Sequence, residues 1–276
     1  MDDFPLYILF IFIIGGILYS WVMWFVRRKV HGSKKLSNKK IIEYIHFLKS
    51  KLSAQPTAVN EIFHLPEKFK YEVLSADYSS ESLQKISNYI GFYLGLLRSV
   101  KVSCIEEQTD DAWVSSSNGI VNSDVSQKHF SGFYKTVGFD HGEILLLKKS
   151  KYKFDNVIAV LAHECVHNYL YFHKVHKSDE TENELLTDIA ATYLGLGHLL
   201  YSGYKPVTWL DNFWSNLSGS GYTKHSIRIG YVDIGTIKRA IIISAKYRKW
   251  NHKEVIAGFS SWWDKVIFFL MFLFYR

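Results

Sequence analysis

The chain has 276 residues, of which 48% are hydrophobic, 16% aromatic and 21% charged. This length accommodates one good-sized domain and excludes two large ones, while the composition excludes a disordered polar chain. The net charge of +7 does not indicate nucleic-acid binding, because the short segment 27–40 contains the whole basic excess. The two cysteines, Cys104 and Cys165, are too far apart in sequence to indicate a disulfide scaffold or a cysteine-based zinc site.

The N-terminal segment, residues 4–26, has the composition of a membrane span. It contains no charged residue, and as a helix it would be about 34 Å long, enough to cross a bilayer. Two acidic residues precede it and three basic residues follow it, so the positive-inside rule predicts a single-pass protein with the main domain in the cytoplasm. Residues 27–40 then form a basic juxtamembrane segment against the anionic leaflet. A cleaved signal peptide is disfavoured, since no small-residue cleavage site follows.

Apolar periodicity predicts several regular elements after the basic segment. The predicted helices are 37–52, 80–100, 156–172, 181–200 and 233–250, and the predicted strands are 101–106, 131–139 and 143–149. This pattern predicts an α+β fold, in which a small and mostly antiparallel sheet covers the helix at 156–172.

The helix predicted at 156–172 contains the sequence HECVH, an instance of the HExxH motif. Its histidines, His163 and His167, are four residues apart and therefore lie on one face of a helix, where both imidazoles can reach one metal ion. Glu164, beside the first histidine, then faces a metal-bound water and is predicted as the general base. The spacing thus predicts a zinc site with His163 and His167 as ligands.

A second acidic pattern, NELLTD, follows the HExxH motif and supplies candidates for the remaining ligand. Glu184 is predicted as the third protein ligand, and Asp188, one turn later, as the acceptor of the free ring N–H of a ligating histidine. Three protein ligands leave a fourth position open, as in catalytic zinc sites. An alternative role for Glu184 remains, because Thr181 and Glu184 also fit a capping box at the start of a helix. Glu180 and Glu182 are further candidates for the third ligand.

With HExxH followed by NELLTD, the chain resembles the gluzincin metallopeptidases. Among these, thermolysin carries HExxH followed by an N-E-x-x-S-D helix, and the membrane CAAX prenyl proteases share the arrangement. The resemblance covers mainly residues 155–200 and implies a zincin-like catalytic domain, assigned here to residues 41–261. It also implies that Glu184 is a metal ligand, that Asp188 supports the ligands, and that the strand GEILLLKK is the edge on which a peptide substrate lies. The chain departs from these families in having one predicted span.

A third histidine at the metzincin spacing is excluded as a ligand. His173 occupies the position of the last histidine in HExxHxxGxxH, but Leu170 replaces the glycine that would turn the chain. A continuous helix carries His173 about 15 Å along the axis from His163, beyond reach of the same ion.

Two downstream segments add further candidates. The stretch YTKHSIRIGY contains His225, predicted as a catalytic residue that stabilises the oxyanion, with Tyr222 and Arg228 as alternatives. The apolar run at 266–275 is too short to span a bilayer, and the two tryptophans before it indicate that the segment 262–276 is membrane-interfacial or re-entrant. Packing of that segment on the core of the domain is the other interpretation.

These predictions combine into one functional hypothesis. The chain is expected to be a membrane-anchored zinc metalloendopeptidase with a cytoplasmic catalytic domain, which hydrolyses protein or peptide substrates with Glu164 as general base. Zinc (Zn2+) is the expected cofactor, no nucleic-acid partner is expected, and the oligomeric state is not predicted. The alternative is a membrane-attached scaffold or sensor with a structural or inactive zinc site. The presence of Glu164 argues against it, because a structural site has no use for that carboxylate.

Overall fold

Helices and a few short strands make up the part of the chain that the structure describes. The structure is a computed structural model, and its described residues are 33–52, 61–96, 100–106, 115–116, 119–120, 132–137, 141–148, 152–205 and 230–274. The helices are α1 (Asn38–Leu52), α2 (Glu67–Ser75), α3 (Ser80–Tyr93), α4 (Phe154–Phe172), α5 (Glu180–Tyr193), α6 (Gly197–Gly203), α7 (Ile234–Arg248), α8 (His252–Ala257) and α9 (Trp262–Phe274). The strands are β1 (Lys101–Glu106), β2 (Ser115–Ser116), β3 (Gly119–Ile120), β4 (Gly132–Val137) and β5 (His141–Lys148).

Three of the strands form a mixed sheet in the order β1-β5-β4. β1 pairs with β5 in parallel, with Val102 opposite Ile144, whereas β4 pairs with β5 antiparallel, with Gly132 opposite Leu146. The α+β fold class is confirmed, but the prediction of a mostly antiparallel sheet is wrong for the β1-β5 pair. An apolar pattern reveals a strand without its direction, and the long chain between β1 and β5 permits the parallel arrangement.

The strand GEILLLKK, predicted as the substrate-binding edge, is instead the central strand β5. Backbone pairing with β1 on one side and with β4 on the other occupies both of its edges. Its side chains Ile144 and Leu146 are buried in the core. The outer strands of this sheet are therefore β1 and β4, and β4 contacts α4 through Gly132.

The HExxH helix α4 lies in the centre of the hydrophobic core. Its sequence is apolar on almost every side, and its buried residues include Ile158, Leu161 and Val166. Helices α3, α5 and α6 and the strands β4 and β5 pack around it. Because protein interiors are densely packed, the side chains that project from this enclosed helix keep fixed positions.

The predicted helices are confirmed with altered ends. Ser79 caps α3 by accepting a hydrogen bond from the backbone N–H of Ser82 at 3.2 Å, as the cap pattern predicts. The helix expected over 181–200 is divided into α5 and α6 at Gly195, where a φ of +87° ends the first helix. A side chain at this position would overlap the Tyr93 hydroxyl, so the turn requires glycine for its space as well as for its φ.

The prediction of a single-pass membrane protein is corrected by the structure. Within the described ranges, no helix has both the length and the apolar character that a membrane crossing requires. The longest described helix, α4, carries the polar HExxH residues, and the apolar helix α9 has 13 residues and is about 20 Å long. The predicted span at 4–26 and the first part of the basic segment at 27–40 lie outside the described residues.

Candidate metal centre

His163 and His167 lie on one face of α4, as the HExxH spacing predicts. Their ring centroids are 4.7 Å apart, and the Nε2 atom of each ring approaches the same carboxylate oxygen of Glu184. The distance to that oxygen is 3.1 Å from His163 and 2.9 Å from His167. Within the described part of the chain, these three residues form the group that can hold one metal ion, with ligand atoms all within 4.8 Å of one another.

Glu184 reaches the histidines from α5, which packs against α4. The N-cap of α5 is Asp179, whose carboxylate accepts a hydrogen bond from the backbone N–H of Glu182 at 2.7 Å. The alternative capping box that begins at Thr181 is therefore not formed, and Glu184 has no part in the cap. Glu182 is also directed away from the histidines, because its carboxylate accepts a hydrogen bond from the Tyr44 hydroxyl.

The second ring nitrogen of each histidine has its own hydrogen-bond partner. Nδ1 of His163 lies 2.9 Å from Oδ1 of Asp188, and Nδ1 of His167 lies 3.3 Å from Oγ1 of Thr187. Thr187 donates its own hydroxyl hydrogen to the Asn183 carbonyl, so it accepts from His167. Both acceptors hold a proton on Nδ1 and direct Nε2 towards the position of a cation. The donor set therefore fits a metal ion that favours imidazole and carboxylate ligands.

Asp188 is completely buried and is held by four hydrogen-bond donors. Its Oδ1 atom accepts from His163 and, at 2.7 Å, from the Tyr204 hydroxyl. Its Oδ2 atom accepts from the backbone N–H groups of Tyr231 and Val232 at 2.8 and 3.1 Å. Because both oxygens are fully engaged, the carboxylate is fixed in position and in turn fixes the His163 ring.

The segment that follows Gly230 forms one wall of the site. The Tyr231 ring stacks on the His163 ring with centroids 5.7 Å apart and an interplanar angle of 23°. The backbone of this segment is anchored on its other side, because the Lys34 N–H donates to the Tyr231 carbonyl at 2.8 Å and the Asp233 N–H donates to the Lys34 carbonyl at 3.2 Å. This bridge connects the first described residues to the candidate metal centre.

Electrostatic contacts in the cluster shift the pKa values of its members. Burial acts to lower the pKa of His163, but hydrogen bonds with Asp188 and Glu184 outweigh it and raise that pKa well above its ordinary value. Burial acts to raise the pKa of Glu184, but hydrogen bonds with His163 and His167 lower it to about 2. Glu184 is therefore an anion and is suited to binding a cation. A bound metal ion would compete with a proton for Nε2 of His163.

Glu164 lies beside the two histidines on α4 and is only 5% exposed. Burial raises the pKa of its carboxyl group, and the charges of His163 and His167 partly offset that increase. A raised pKa suits a group that accepts a proton and releases it again near neutral pH. The role of general base for Glu164 stays a prediction, and burial with a raised pKa is the environment that such a role requires.

Gly132 of the outer strand β4 packs directly on Glu164. A Cβ atom at Gly132 would lie 2.8 Å from Oε1 of Glu164 and would overlap the Val160 side chain. The absence of a side chain therefore allows β4 to approach α4 at the predicted general base.

Gly132→Ala is expected to displace Glu164. If the chain is the hydrolase that the sequence predicts, kcat should fall by about tenfold to a hundredfold, because small misplacements of a catalytic group have costs of this size. Zinc content should not change, since the added methyl group meets Glu164 and Val160 and no metal ligand. Steady-state kinetics and metal analysis measure the two effects. Gly91→Ala on α3 is the matched control, because nothing lies within 4 Å of its added Cβ atom. An unchanged kcat in the Gly132 variant would mean that β4 moves aside without displacing Glu164.

Asp188→Asn is expected to weaken zinc binding by about 10- to 100-fold, the usual effect of losing an outer partner of a ligand. The amide has one acceptor oxygen in place of two, so it cannot satisfy the donors that surround the carboxylate. Competition titration with a zinc-binding dye measures the affinity. Tyr204→Phe removes a single one of these donors and should have a smaller effect. Equal zinc affinity in the Asp188 variant and the wild type would show that the carboxylate does not orient His163.

Some residues that the sequence singles out lie elsewhere. The predicted catalytic residue His225, together with Tyr222 and Arg228, falls outside the described residues. His173 forms the C-cap of α4 and packs on the Tyr169 ring with centroids 4.4 Å apart, outside the candidate ligand group. Its exclusion as a ligand on grounds of helix length therefore agrees with the structure.

Four residues around the site were not predicted: Thr187, Tyr204, Tyr231 and Gly132. Thr187 lies inside NELLTD and Tyr231 ends YTKHSIRIGY, so these patterns contained a signal for two of them. Tyr204 and Gly132 carry no local signal, because their roles depend on contacts between distant parts of the chain.

Comparisons with profiles of known protein families, with curated proteins and with solved structures found no match. No relative therefore supplies a role for any residue of this chain. The resemblance to gluzincins rests on the HExxH and NELLTD patterns themselves, and the geometry around them stands as independent support for a metal site.

Proposed function

We propose that this protein is a zinc-dependent metalloendopeptidase with a zincin-like catalytic domain. One observation carries the proposal: two imidazoles and one carboxylate converge from α4 and α5, and Glu164 is buried beside them. Structural zinc sites have four protein ligands, whereas three protein ligands leave a position for reacting groups. A further carboxylate beside the ligands has no use in a structural site and is required in a hydrolase.

Zinc is the metal that this donor set favours. His163, His167 and Glu184 would hold it, and two histidines with one glutamate are the ligands of catalytic zinc in known peptidases. When bound, zinc would supply a Lewis acid that lowers the pKa of a coordinated water from about 15.7 towards 7 and polarises the scissile carbonyl. Asp188 and Thr187 support this role by holding the histidine rings in the orientation that presents Nε2.

Glu164 would carry out the proton transfers of the reaction. It would accept a proton from the attacking water and pass that proton to the nitrogen of the leaving amine as the peptide bond breaks. Its burial supports this role, because a raised pKa brings the carboxyl group closer to the pKa values of its proton-transfer partners. Gly132 would keep the carboxylate in place from the side of β4.

A peptide substrate is expected to bind along the outer edge of β4. In the described part of the chain no strand pairs with that edge, and Gly132 brings the strand next to Glu164. An extended peptide can add to such an edge as a further strand through backbone hydrogen bonds. This mode of binding would bring a peptide bond near Glu164 without requiring a particular side chain, as suits an endopeptidase.

Cleavage of peptides by the purified full-length chain tests the proposed function. The protein is incubated with a peptide library prepared from a proteome, and new N-termini are identified by mass spectrometry. We expect a set of internal cleavages that disappears when a chelator removes the metal and returns when zinc is restored. If the zinc-loaded protein produces no new N-termini, the peptidase proposal fails and the scaffold or sensor hypothesis replaces it.

A further inference from the structure

The C-terminal helix α9 is fixed to the domain by one of its faces. Asp264 accepts a hydrogen bond from the Tyr201 hydroxyl at 2.9 Å and pairs with Lys205. One turn later, Phe268 is completely buried and stacks on Phe259 with ring centroids 4.1 Å apart. These contacts hold α9 in a defined orientation, so its opposite face has a defined direction as well.

The opposite face of α9 is exposed and entirely apolar. At about 100° per residue, its outward side chains cover an arc of roughly 160° around the helix, and no polar residue of α9 falls within it. The exposed members of this surface, called the apolar arc below, are Trp262, Trp263, Ile267, Phe269, Leu270, Leu273 and Phe274. A contiguous exposed surface of large apolar side chains marks a site of contact with another apolar body.

Basic side chains border the apolar arc. Lys265 lies next to it on α9 itself, and Lys253 is exposed on the neighbouring helix α8. The ring centroid of His252 on α8 lies 6.5 Å from that of Phe269 on α9, which places this end of α8 beside the arc. One exposed acid, Glu254 of α8, lies beside Lys253, so the two lysines leave this border with a positive charge. The border of the arc therefore complements a negatively charged surface.

We propose that the apolar arc of α9 lies on the surface of a membrane that contains anionic lipids. Interfacial helices combine a wide apolar face with flanking cations, and tryptophans such as Trp262 and Trp263 favour the level of the lipid headgroups. With 13 residues, α9 is about 20 Å long and cannot cross a hydrocarbon core of roughly 30 Å. The helix therefore lies along the membrane surface and does not span it. This membrane contact does not depend on the proposed peptidase activity.

The composition of the arc favours lipid over a protein partner. Protein interfaces include hydrogen-bonding side chains and a polar rim around their apolar centre. The apolar arc offers only the indole N–H groups of Trp262 and Trp263 as hydrogen-bond donors. Both lie at one end of the helix, as expected of side chains that meet headgroups.

A spin label on the apolar arc tests this proposal in the full-length chain. The label is attached at Leu270→Cys, and the matched control is Leu74→Cys on α2, because these leucines are 45% and 47% exposed. Cys104→Ser removes the partly exposed native thiol, whereas Cys165 is buried and burial raises its pKa to about 12. The vesicles contain phosphatidylcholine alone or phosphatidylcholine with about one third phosphatidylserine, the anionic lipid.

With the anionic vesicles, we expect the label at position 270 to become shielded from a water-soluble relaxation agent and accessible to dissolved oxygen. The ratio of the two accessibilities should change by at least about fivefold, and less with phosphatidylcholine alone, while the label at position 74 does not change. The measurement reports the depth of α9 itself, so recruitment of the chain through residues 4–26 does not produce this result.

Three outcomes would overturn the lipid assignment. Equal accessibility of the labels at positions 270 and 74 in the presence of vesicles would mean that α9 stays in water. Spin–spin broadening between labels at position 270 without vesicles would identify a second copy of the chain as the occupant of the arc. Shielding of that label from both agents without vesicles would mean that another segment of the same chain covers it.

Discussion

Glu164→Gln is expected to reduce peptide hydrolysis by about 10² to 10⁴ or more while leaving the zinc content unchanged. The amide has nearly the shape of the carboxylate and fits the same buried position, but it cannot accept a proton. Zinc should remain because Glu164 is not a member of the ligand group formed by the histidines and Glu184. The rate is measured on a peptide that the wild type cleaves, and zinc is measured in the same preparations.

Two comparisons make the result for Glu164 specific. His163→Ala should lose zinc and activity together, because it removes a ligand. Glu254→Gln changes an exposed glutamate on α8 and should alter neither. If Glu164→Gln cleaves the peptide at more than about a tenth of the wild-type rate, Glu164 is not the general base.

Glu184→Ala is expected to weaken zinc binding strongly, because it removes a ligand of the metal. The loss should exceed the about 10- to 100-fold effect of removing a hydrogen-bond partner of a ligand. The carboxylate lies 3.1 and 2.9 Å from the two Nε2 atoms, so its loss leaves two of the three candidate ligands. Metal analysis of the purified variant, followed by competition titration, measures the change. Activity should fall in parallel with zinc occupancy.

The neighbouring acids of α5 provide the controls for Glu184. Glu180→Ala and Glu182→Ala should keep wild-type zinc affinity, because neither carboxylate belongs to the ligand group. Glu182→Ala should instead lower the free energy of unfolding slightly, since it removes the hydrogen bond from Tyr44 and an ion pair with Lys40. Normal zinc affinity in the Glu184 variant would contradict the ligand assignment and leave the metal site without its carboxylate.

The positions of the candidate ligands could be predicted because they depend on helix geometry over a short stretch of chain. A spacing of four residues places His163 and His167 on one face of a helix wherever that helix lies in the fold. Glu184 required more, since its approach depends on how α5 packs on α4. The NELLTD pattern supplied that information through its resemblance to a known arrangement, and the structure brings Glu184 to both histidines.

The surroundings of the ligands could not be predicted because they depend on contacts between distant segments. Tyr204 and Tyr231 reach Asp188 from different parts of the chain. Tyr204 carries no local signal, and the pattern that ends at Tyr231 did not indicate a contact with Asp188. The direction of β1 and the central position of β5 also follow from chain connections that apolar alternation does not encode. For the same reason, the strand that the resemblance implied as a substrate-binding edge is a central strand.

The sequence of the C-terminal segment allowed two interpretations, packing on the core of the domain and contact with a membrane surface. Each interpretation concerns a different face of α9. Packing on the core is correct for the face that carries Phe268, which is completely buried. The exposed face, which includes Leu270 and Leu273, is the one now proposed to meet lipid. An apolar helix has no polar side in its sequence to separate these faces, so only the contacts of the folded domain do so.

The bridge between Lys34 and the segment after Gly230 has a consequence for the order in which the protein folds. Beside it, the Leu36 N–H donates to Thr236 over a separation of 200 residues, so this contact closes a very long loop. Closing such a loop costs chain entropy, and contacts of this kind form late in folding. His163, His167 and Glu184 lie much closer together in sequence and are expected to meet earlier. Zinc would then enter while the wall beside Asp188 is still open, and its rate of loading would be highest during folding and lower afterwards.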